Sequence, residues 1–348
     1  MSGGMPLVSV IITTFNGADV LERAIRSVLT QSWSDSELIV VDDNDPSSPA
    51  RAETASIMRR YPTAVYLRHP ENRNGAAARN TGLDAAKGTY VAFLDQDDVY
   101  LSMHIEACVK ALESNPDCDA VLTGVLKIRQ GLCWERVPAA EGDPVRTLLF
   151  SETALGTGSN LFLTAEAART LNGFDTSFER HQDLEFSLRL FQFCRVCTIP
   201  EIQILKDMGT SSNSQNFERF RRTKQQLRQK FSDLIEGLTE EDRARFDAGQ
   251  YSALLYTACR EGNAAGRTWA AEGLKACRPL TRKERLLCLL SRFGLFPLYE
   301  RMKLMAKKRA APRPYQQVIR TMGTADRALL DAVLHPDQAG GRGHGGAD

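Results

Sequence analysis

Short β-branched runs alternate with amphipathic stretches over the first hundred residues, and this limits the fold more than any other feature. Leu7–Thr14 reads LVSVIITT and is bounded by Asn16-Gly17, the pattern of a buried strand. Asp19 stands where it can cap a following helix whose apolar residues Val20, Ala24, Ile25, Val28 and Leu29 share one face. Glu37–Val41, Val65–Leu67 and Tyr90–Leu94 predict three more strands. Helices are expected through Ile57 and Met58, over Ala76–Ala86 before Gly88, and over Leu101–Leu112. A βαβαβαβ order builds a parallel sheet with helices on both faces, and ligands bind beyond the carboxyl ends of its strands.

The polar residues gather at those ends. Thr13 and Thr14 follow the first strand, Asp42 and Asp43 the second, and Asp95, Asp97 and Asp98 the fourth. A strand that delivers several carboxylates to its end suits Mg²⁺ or Mn²⁺, which prefer oxygen ligands and commonly share them with substrate phosphates. A solvated acidic turn is the competing reading of Asp95-Gln96-Asp97. Asp43 can accept a hydrogen bond from a base or ribose, or simply form an Asx turn. In Asn72–Gly82, small residues allow close helix–sheet packing, and Arg79 lies one helical turn after Gly75, either near a nucleotide or as a surface arginine. Asp183 falls at a helix start, where it caps the helix or serves as a general base. Gly158, His181 and Gln182 are candidates to shape the same pocket.

Beyond this, Asp119–Arg129 reads as a strand, and Ala165–Leu171 and Leu184–Phe193 as helices. After residue 215 the pattern turns helical, with Phe217–Glu236, Asp242–Gly262, Ala264–Ala276 and Lys283–Leu290. The expected division is a catalytic domain over 1–215, a helical region over 216–337 and a glycine-rich disordered tail over 338–348. The formal net charge of +1 gives the whole chain no pull toward nucleic acid. Eight scattered cysteines, with only Cys194 and Cys197 in C-x-x-C spacing, read as reduced packing residues and fit a cytoplasmic setting. No spanning segment or signal sequence is expected.

In their order and spacing, Val8–Asn16, Ile39–Asn44, Ala78–Gly82, Phe93–Asp98, Gly173–Asp175 and Gln182–Arg189 resemble the family 2 glycosyltransferases of the GT-A fold. The resemblance covers roughly residues 5 to 212. It implies inverting transfer from a nucleotide-sugar, with a UDP-sugar as the suggested donor and a glycan or lipid-linked acceptor. Thr13, Asp43, Arg79 and Asp95 match positions that hold the nucleotide, Asp97 the direct metal contact and Asp183 the general base. Three departures stand out. Gln182 replaces the usual Glu, Asn74 stands in a usual Gly place with Gly75 following, and Asp207 occupies the place of a metal-ligating His.

Lys283–Arg313 is rich in leucine and in basic residues. The favoured expectation is a helical subdomain that buries its leucines and leaves a solvated basic face. The alternative is a stretch that lies on anionic lipid at the inner face of the membrane, near a lipid-linked acceptor. The leading functional expectation is a glycosyltransferase of surface polysaccharide, lipopolysaccharide or capsule synthesis. A nucleotidyltransferase would want a Gly-rich basic loop after the first strand, which Thr13–Gly17 lacks, and an aspartyl phosphotransferase usually places its D-x-D after the first strand. A non-catalytic relative would have no need of Asp97 and Asp183.

Overall fold

The computed structural model describes residues 7–129, 132–137, 143–150, 157–208, 216–309 and 322–334. The chain divides into two compact units, one within 1–210 and 312–348, the other Ser211–Ala311. The tail expected to be disordered lies outside the described residues, as does part of the loose stretch around Gly131, Pro138 and Gly142.

The first unit opens with β1 (Val8–Thr14), α1 (Ala18–Leu29), β2 (Ser36–Asp42), α2 (Pro49–Met58), β3 (Val65–Arg68), α3 (Asn74–Ala85) and β4 (Tyr90–Asp95). These strands pair in parallel in the order β3-β2-β1-β4. The β-branched runs form strands because each is buried: Val8, Val10 and Ile12 alternate into a core with Leu21 and Ile25 of α1 and Val40 of β2. Asp19 does not cap α1. Gly17 holds that position and Asp19 lies in the first turn, where a carboxylate still favours the helix dipole.

Beyond these four strands the sheet is no longer all parallel. β5 (Asp98–Tyr100), α4 (His104–Ser114), β6 (Ala120–Arg129), β7 (Leu132–Val137) and α5 (Pro144–Phe150) follow. A 3₁₀ turn (Gly158–Asn160) then leads to β8 (Phe162–Thr164), α6 (Ala165–Thr170), α7 (Gln182–Phe193) and β9 (Val196–Asp207). β8 runs antiparallel to both β4 and β6, β9 pairs in parallel with β6, and β5 runs antiparallel to β9, so the sheet is mixed. β9 was not legible in the sequence because Pro200 and the alternation of charge break its apolar run. It crosses back beside the D-x-D turn with Asp98 opposite Lys206.

The second unit is helical: α8 (Phe217–Lys230), α9 (Ser232–Glu236), α10 (Glu240–Glu261), α11 (Ala264–Cys277), α12 (Arg282–Arg292) and α13 (Phe296–Arg309). Phe220, Leu254, Leu255, Ala270, Leu274, Leu287 and Phe296 form its core. The helix expected over Phe217–Glu236 is two helices meeting at Phe231. The last helix, α14 (Thr324–Leu334), groups with the first unit rather than with 216–309. There Met322, Leu330 and Val333 pack with Val99, Leu126 and Leu205, and Asp326 accepts from the Ser102 amide at 2.8 Å. All eight cysteines are free thiols.

Candidate active site

The end of β4 carries the chemistry. Ligand atoms of Asp95, Asp97 and Asp98 lie within 4.8 Å of one another. Like charges this close cannot all sit unneutralised, and the two outer carboxylates have partners. Asp98 is fully buried, accepts from Ser159 Oγ at 2.6 Å and Thr157 Oγ1 at 3.1 Å, and lies 3.2 Å from Lys206 Nζ. Asp95 accepts from Arg79 Nη2 at 2.7 Å and lies 3.7 Å from the same ammonium. Burial raises the pKa of Asp95, but Arg79 and Lys206 outweigh it and hold the carboxyl below its usual range. Asp97 differs. It is half-buried, and no side chain of the described residues hydrogen-bonds to its carboxylate. Burial, together with Asp98 and Asp95, pushes its pKa up to about 7 against the pull of Lys206.

Three oxygen donors, one of them held protonatable by its anionic neighbours, fit a hard divalent cation. Asp97 would be the principal ligand, with Asp95 beside it. Asp207 lies outside this group: its carboxylate pairs with Arg23 Nη2 at 3.0 Å, and the same guanidinium donates to the Asp97 carbonyl at 2.8 Å. Asp207 therefore meets the turn through Arg23.

Gly158 shows how close the remaining groups come. A Cβ there would lie 3.5 Å from Arg79 Nη2, 3.5 Å from Asp183 Cβ and 3.8 Å from Asp95 Oδ1. Sequence positions 79, 95, 158 and 183 thus meet around one small gap. Arg79 Nη1 also donates to Gln182 Oε1 at 3.1 Å, and the guanidinium packs 5.3 Å from the Phe174 ring centroid. Asp183 lies in the first turn of α7, half-buried, and the N-cap is His181. His181 takes φ +58°, a left-handed conformation that an L residue adopts at a cost and that marks a fixed turn.

Asn74 explains the departure at the start of α3. It takes φ +75°, as glycine would, and its Oδ1 accepts from the Ala76 and Ala77 amides at 2.9 and 3.2 Å. Gly75 then leaves room for the pair behind it, since a Cβ would meet Gln182 Oε1 at 3.1 Å and Arg79 Nη1 at 3.3 Å.

Asp43 is placed otherwise than a free acceptor for a base. It is 2% exposed, and its Oδ1 accepts from the Arg73 amide at 2.8 Å and meets His69 Nδ1 at 2.7 Å. Its Oδ2 accepts from Asn72 at 2.9 Å. Thr13, half-buried on β1, pairs in register with Val41 on one side and Asp95 on the other.

Four residues that the sequence reading left without a role belong to this edge. Lys206 enters the acidic group through the register of β9, and His69 links Asp43 to Thr81 Oγ1, the latter at 2.8 Å. Gln96 accepts from Thr14 Oγ1 and the Phe15 amide at 2.7 and 3.0 Å and donates to the Phe15 carbonyl at 2.9 Å, tying the β1–α1 turn to the D-x-D. Arg23 is the fourth.

Residues 9–148 match the model of glycosyl transferase family 2. An uncharacterized glycosyltransferase of Rickettsia felis is 26% identical over 259 residues, covering 73% of this chain and 42% of that protein. The amylovoran biosynthesis glycosyltransferase AmsB of Erwinia amylovora is 29% identical over 189 residues, covering 52% of this chain and 62% of its own. The chain thus spans about two fifths of the length of the first curated relatives it matches. Among solved structures, S. aureus TarS 1-349 in complex with UDP-GlcNAc superposes with a TM-score of 0.53 at 13% identity, covering 82% of this chain and 92% of its own. The mannosyltransferase PcManGT of Pyrobaculum calidifontis, solved with GDP-Man and Mn²⁺, gives 0.51 at 19% identity, covering 97% and 88%. Residues 9–148 are thus similar to family 2 glycosyltransferases, and the fold is that of the GT-A glycosyltransferase structures.

Proposed function

We propose that this chain is an inverting glycosyltransferase that moves a sugar from a nucleoside diphosphate to an acceptor hydroxyl. The observation that supports the reading is the gap at Gly158, which Asp183, Asp95 and Arg79 all border: a Cβ built there would lie 3.5 to 3.8 Å from an atom of each. Asp183 takes the proton of the acceptor hydroxyl as its oxygen bonds to the anomeric carbon. The bond from that carbon to the diphosphate oxygen breaks on the opposite face, which inverts the configuration. Asp97 and Asp95 would hold a divalent cation, which would neutralise charge on the departing diphosphate. Arg79 and Lys206 add fixed positive charge at the same edge, and Arg79 is held in place by Asp95, Gln182 and Phe174. Asp43 serves the nucleotide end by fixing His69, Asn72 and the Arg73 amide. Thr13 borders that end.

UDP is the donor nucleotide this reading favours, and it is what TarS was solved with; PcManGT was solved with GDP-Man. The acceptor belongs to a surface glycan, in line with the amylovoran relative. Among the described residues no helix is long and apolar enough to cross a membrane. The proposed setting is the cytoplasm, with donor and acceptor meeting there or at the inner membrane face.

Calorimetric titration with UDP in the presence and absence of Mn²⁺ tests the reading. Metal-dependent binding should be present in the native chain and absent in Asp97→Ala. Equal UDP binding by the two, with or without the metal, would discard the assignment.

A further inference from the structure

Helices α12 and α13 of the second unit each have two apolar faces where an ordinary surface helix has one. Their inner residues Leu287 and Phe296 are 3% exposed and complete the core with Leu254 and Leu255. On α12 and its C-cap a second stripe, Leu286, Leu289 and Phe293, follows the i, i+3, i+7 spacing and is 46%, 53% and 66% exposed. Leu295, Leu298, Met302 and Met305 repeat that spacing along α13, at 46% to 62%. Gly294, at φ +69°, turns the chain between the two helices, so Phe293 and Leu295 flank the tip. The expected subdomain with buried leucines and a merely solvated basic face accounts for the inner stripe alone.

Charge says what would cover the outer stripe. Residues 282–309 contain nine basic residues and two acids. Both acids are consumed inside the unit. Glu284 accepts from Arg278, Thr281 and Ser252, and its pKa is lowered to about 2, the Arg278 contact being the largest cause. Glu300 accepts from Tyr256. Among the described residues, Arg282, Lys283, Arg285, Arg292 and Arg301 form no ion pair, and all five are exposed. An apolar stripe bordered by unpaired cations, with both acids of the segment engaged by partners within the unit, is complementary to an anionic lipid leaflet, which takes apolar side chains between its headgroups and attracts each cation.

We infer that the outer face of α12 and α13 docks on anionic lipid bilayer, with Leu286, Leu289, Phe293, Leu298 and Met302 entering the interface. This rests on the second unit alone and stands whether or not the first unit transfers sugar.

The full chain is sedimented with vesicles of phosphatidylcholine and phosphatidylglycerol, and with vesicles of phosphatidylcholine alone. Binding is expected to the anionic vesicles, to weaken with salt and to fall about tenfold or more in the double variant Leu289→Ser/Phe293→Ser. The double variant Arg285→Gln/Arg292→Gln should lose about fivefold per charge. Both pairs are exposed, so circular dichroism and metal-dependent UDP binding should match the native chain. The inference is overturned if the native chain stays in the supernatant, or if all variants bind like it. It is also overturned if light scattering shows a stable dimer that Leu289→Ser/Phe293→Ser dissociates, since a second copy then covers the face.

Discussion

The sheet edge of the first unit and the outer face of α12 and α13 in the second unit handle charge in opposite ways. At the sheet edge the ionisable groups are buried or half-buried and interlocked: Asp98 with Lys206, Asp95 with Arg79, Asp207 with Arg23. Removing Lys206 strands the fully buried Asp98 at a cost of several kcal/mol, so that part of the edge is stiff and its positions are fixed in advance. On α12 and α13, Arg282, Lys283, Arg285, Arg292 and Arg301 stand in water without an ion pair among the described residues, beside exposed leucine and methionine, and single changes there cost the fold little. A fixed edge suits a small anionic ligand whose atoms must be placed, and an unpaired basic face suits a large, fluid, anionic surface.

The sharpest way to break that contrast is to change one atom at the edge. Asp183→Asn keeps the shape of the first turn of α7 and removes the proposed proton acceptor. Transfer should drop about 10²-fold or more while UDP affinity stays within about twofold. Equal losses of binding and rate would move Asp183 from base to scaffold. The same assay with a water-soluble acceptor should be indifferent to Arg301→Gln, which belongs to the second unit.

Acid should also separate the two units. His104, stacked 3.9 Å from Tyr100 between ring centroids, is buried with no partner for Nε2, and burial pushes its pKa down to about 3. The folded form refuses a proton that the unfolded chain accepts near pH 6.5. The stability this lends the first unit is therefore complete above that pH and is lost on descent toward about 3, by at most about 1.4 kcal/mol per pH unit. His104→Phe should keep the stack and flatten the slope of urea stability between pH 6.5 and 4. The buried Lys224 of the second unit, with its pKa pushed down to about 7 by burial, completes its own change above neutrality and adds no slope there. An unchanged slope in His104→Phe would assign the acid sensitivity elsewhere.

Lys206→Met tests whether the edge works as a set of paired charges. Without the ammonium, Asp98 and Asp95 face each other and Asp97 with less compensation, and the diphosphate loses a cation. UDP affinity should fall about tenfold at saturating Mn²⁺, in keeping with the worth of one charge-assisted contact. An unaltered titration would make Lys206 structural.

Lys206 also shows where sequence reading stopped. The first four strands were legible because burial on both faces writes a continuous β-branched run, and the D-x-D because it ends one of them. Asp95, Arg79 and Asp183 were found through motif order, and the structure brings them together around Gly158. Lys206 was invisible because its meaning is a register: only the pairing of β9 with β5 sets it opposite Asp98, 108 residues away. His69 needed the fold of the loop after β3, and α14 needed the groove it fills beside Leu126 and Leu205. The exposed leucines of α12 were read as buried because periodicity marks an apolar stripe without saying what faces it.

The smallest expected effect is at Gln182, and it explains a letter of the sequence. The amide of Gln182 uses both ends: Oε1 accepts from Arg79 at 3.1 Å, while Nε2 donates to the Phe178 carbonyl at 2.8 Å and to Asn74 Oδ1 at 3.4 Å. A carboxylate would strengthen the contact with Arg79 but turn its second oxygen on two acceptors. Gln182→Glu exchanges one charge-assisted bond for the loss of a neutral one and a repulsion, each worth about 1 kcal/mol, so stability should change by less than about 1 kcal/mol. Transfer should change less than in Asp183→Asn, because Asp183, the proposed base, keeps its place on α7. Urea unfolding and a rate profile of the variant check this. Stabilisation well beyond that range would mean the second oxygen finds a donor, and the edge would then be less tightly saturated than its hydrogen bonds imply.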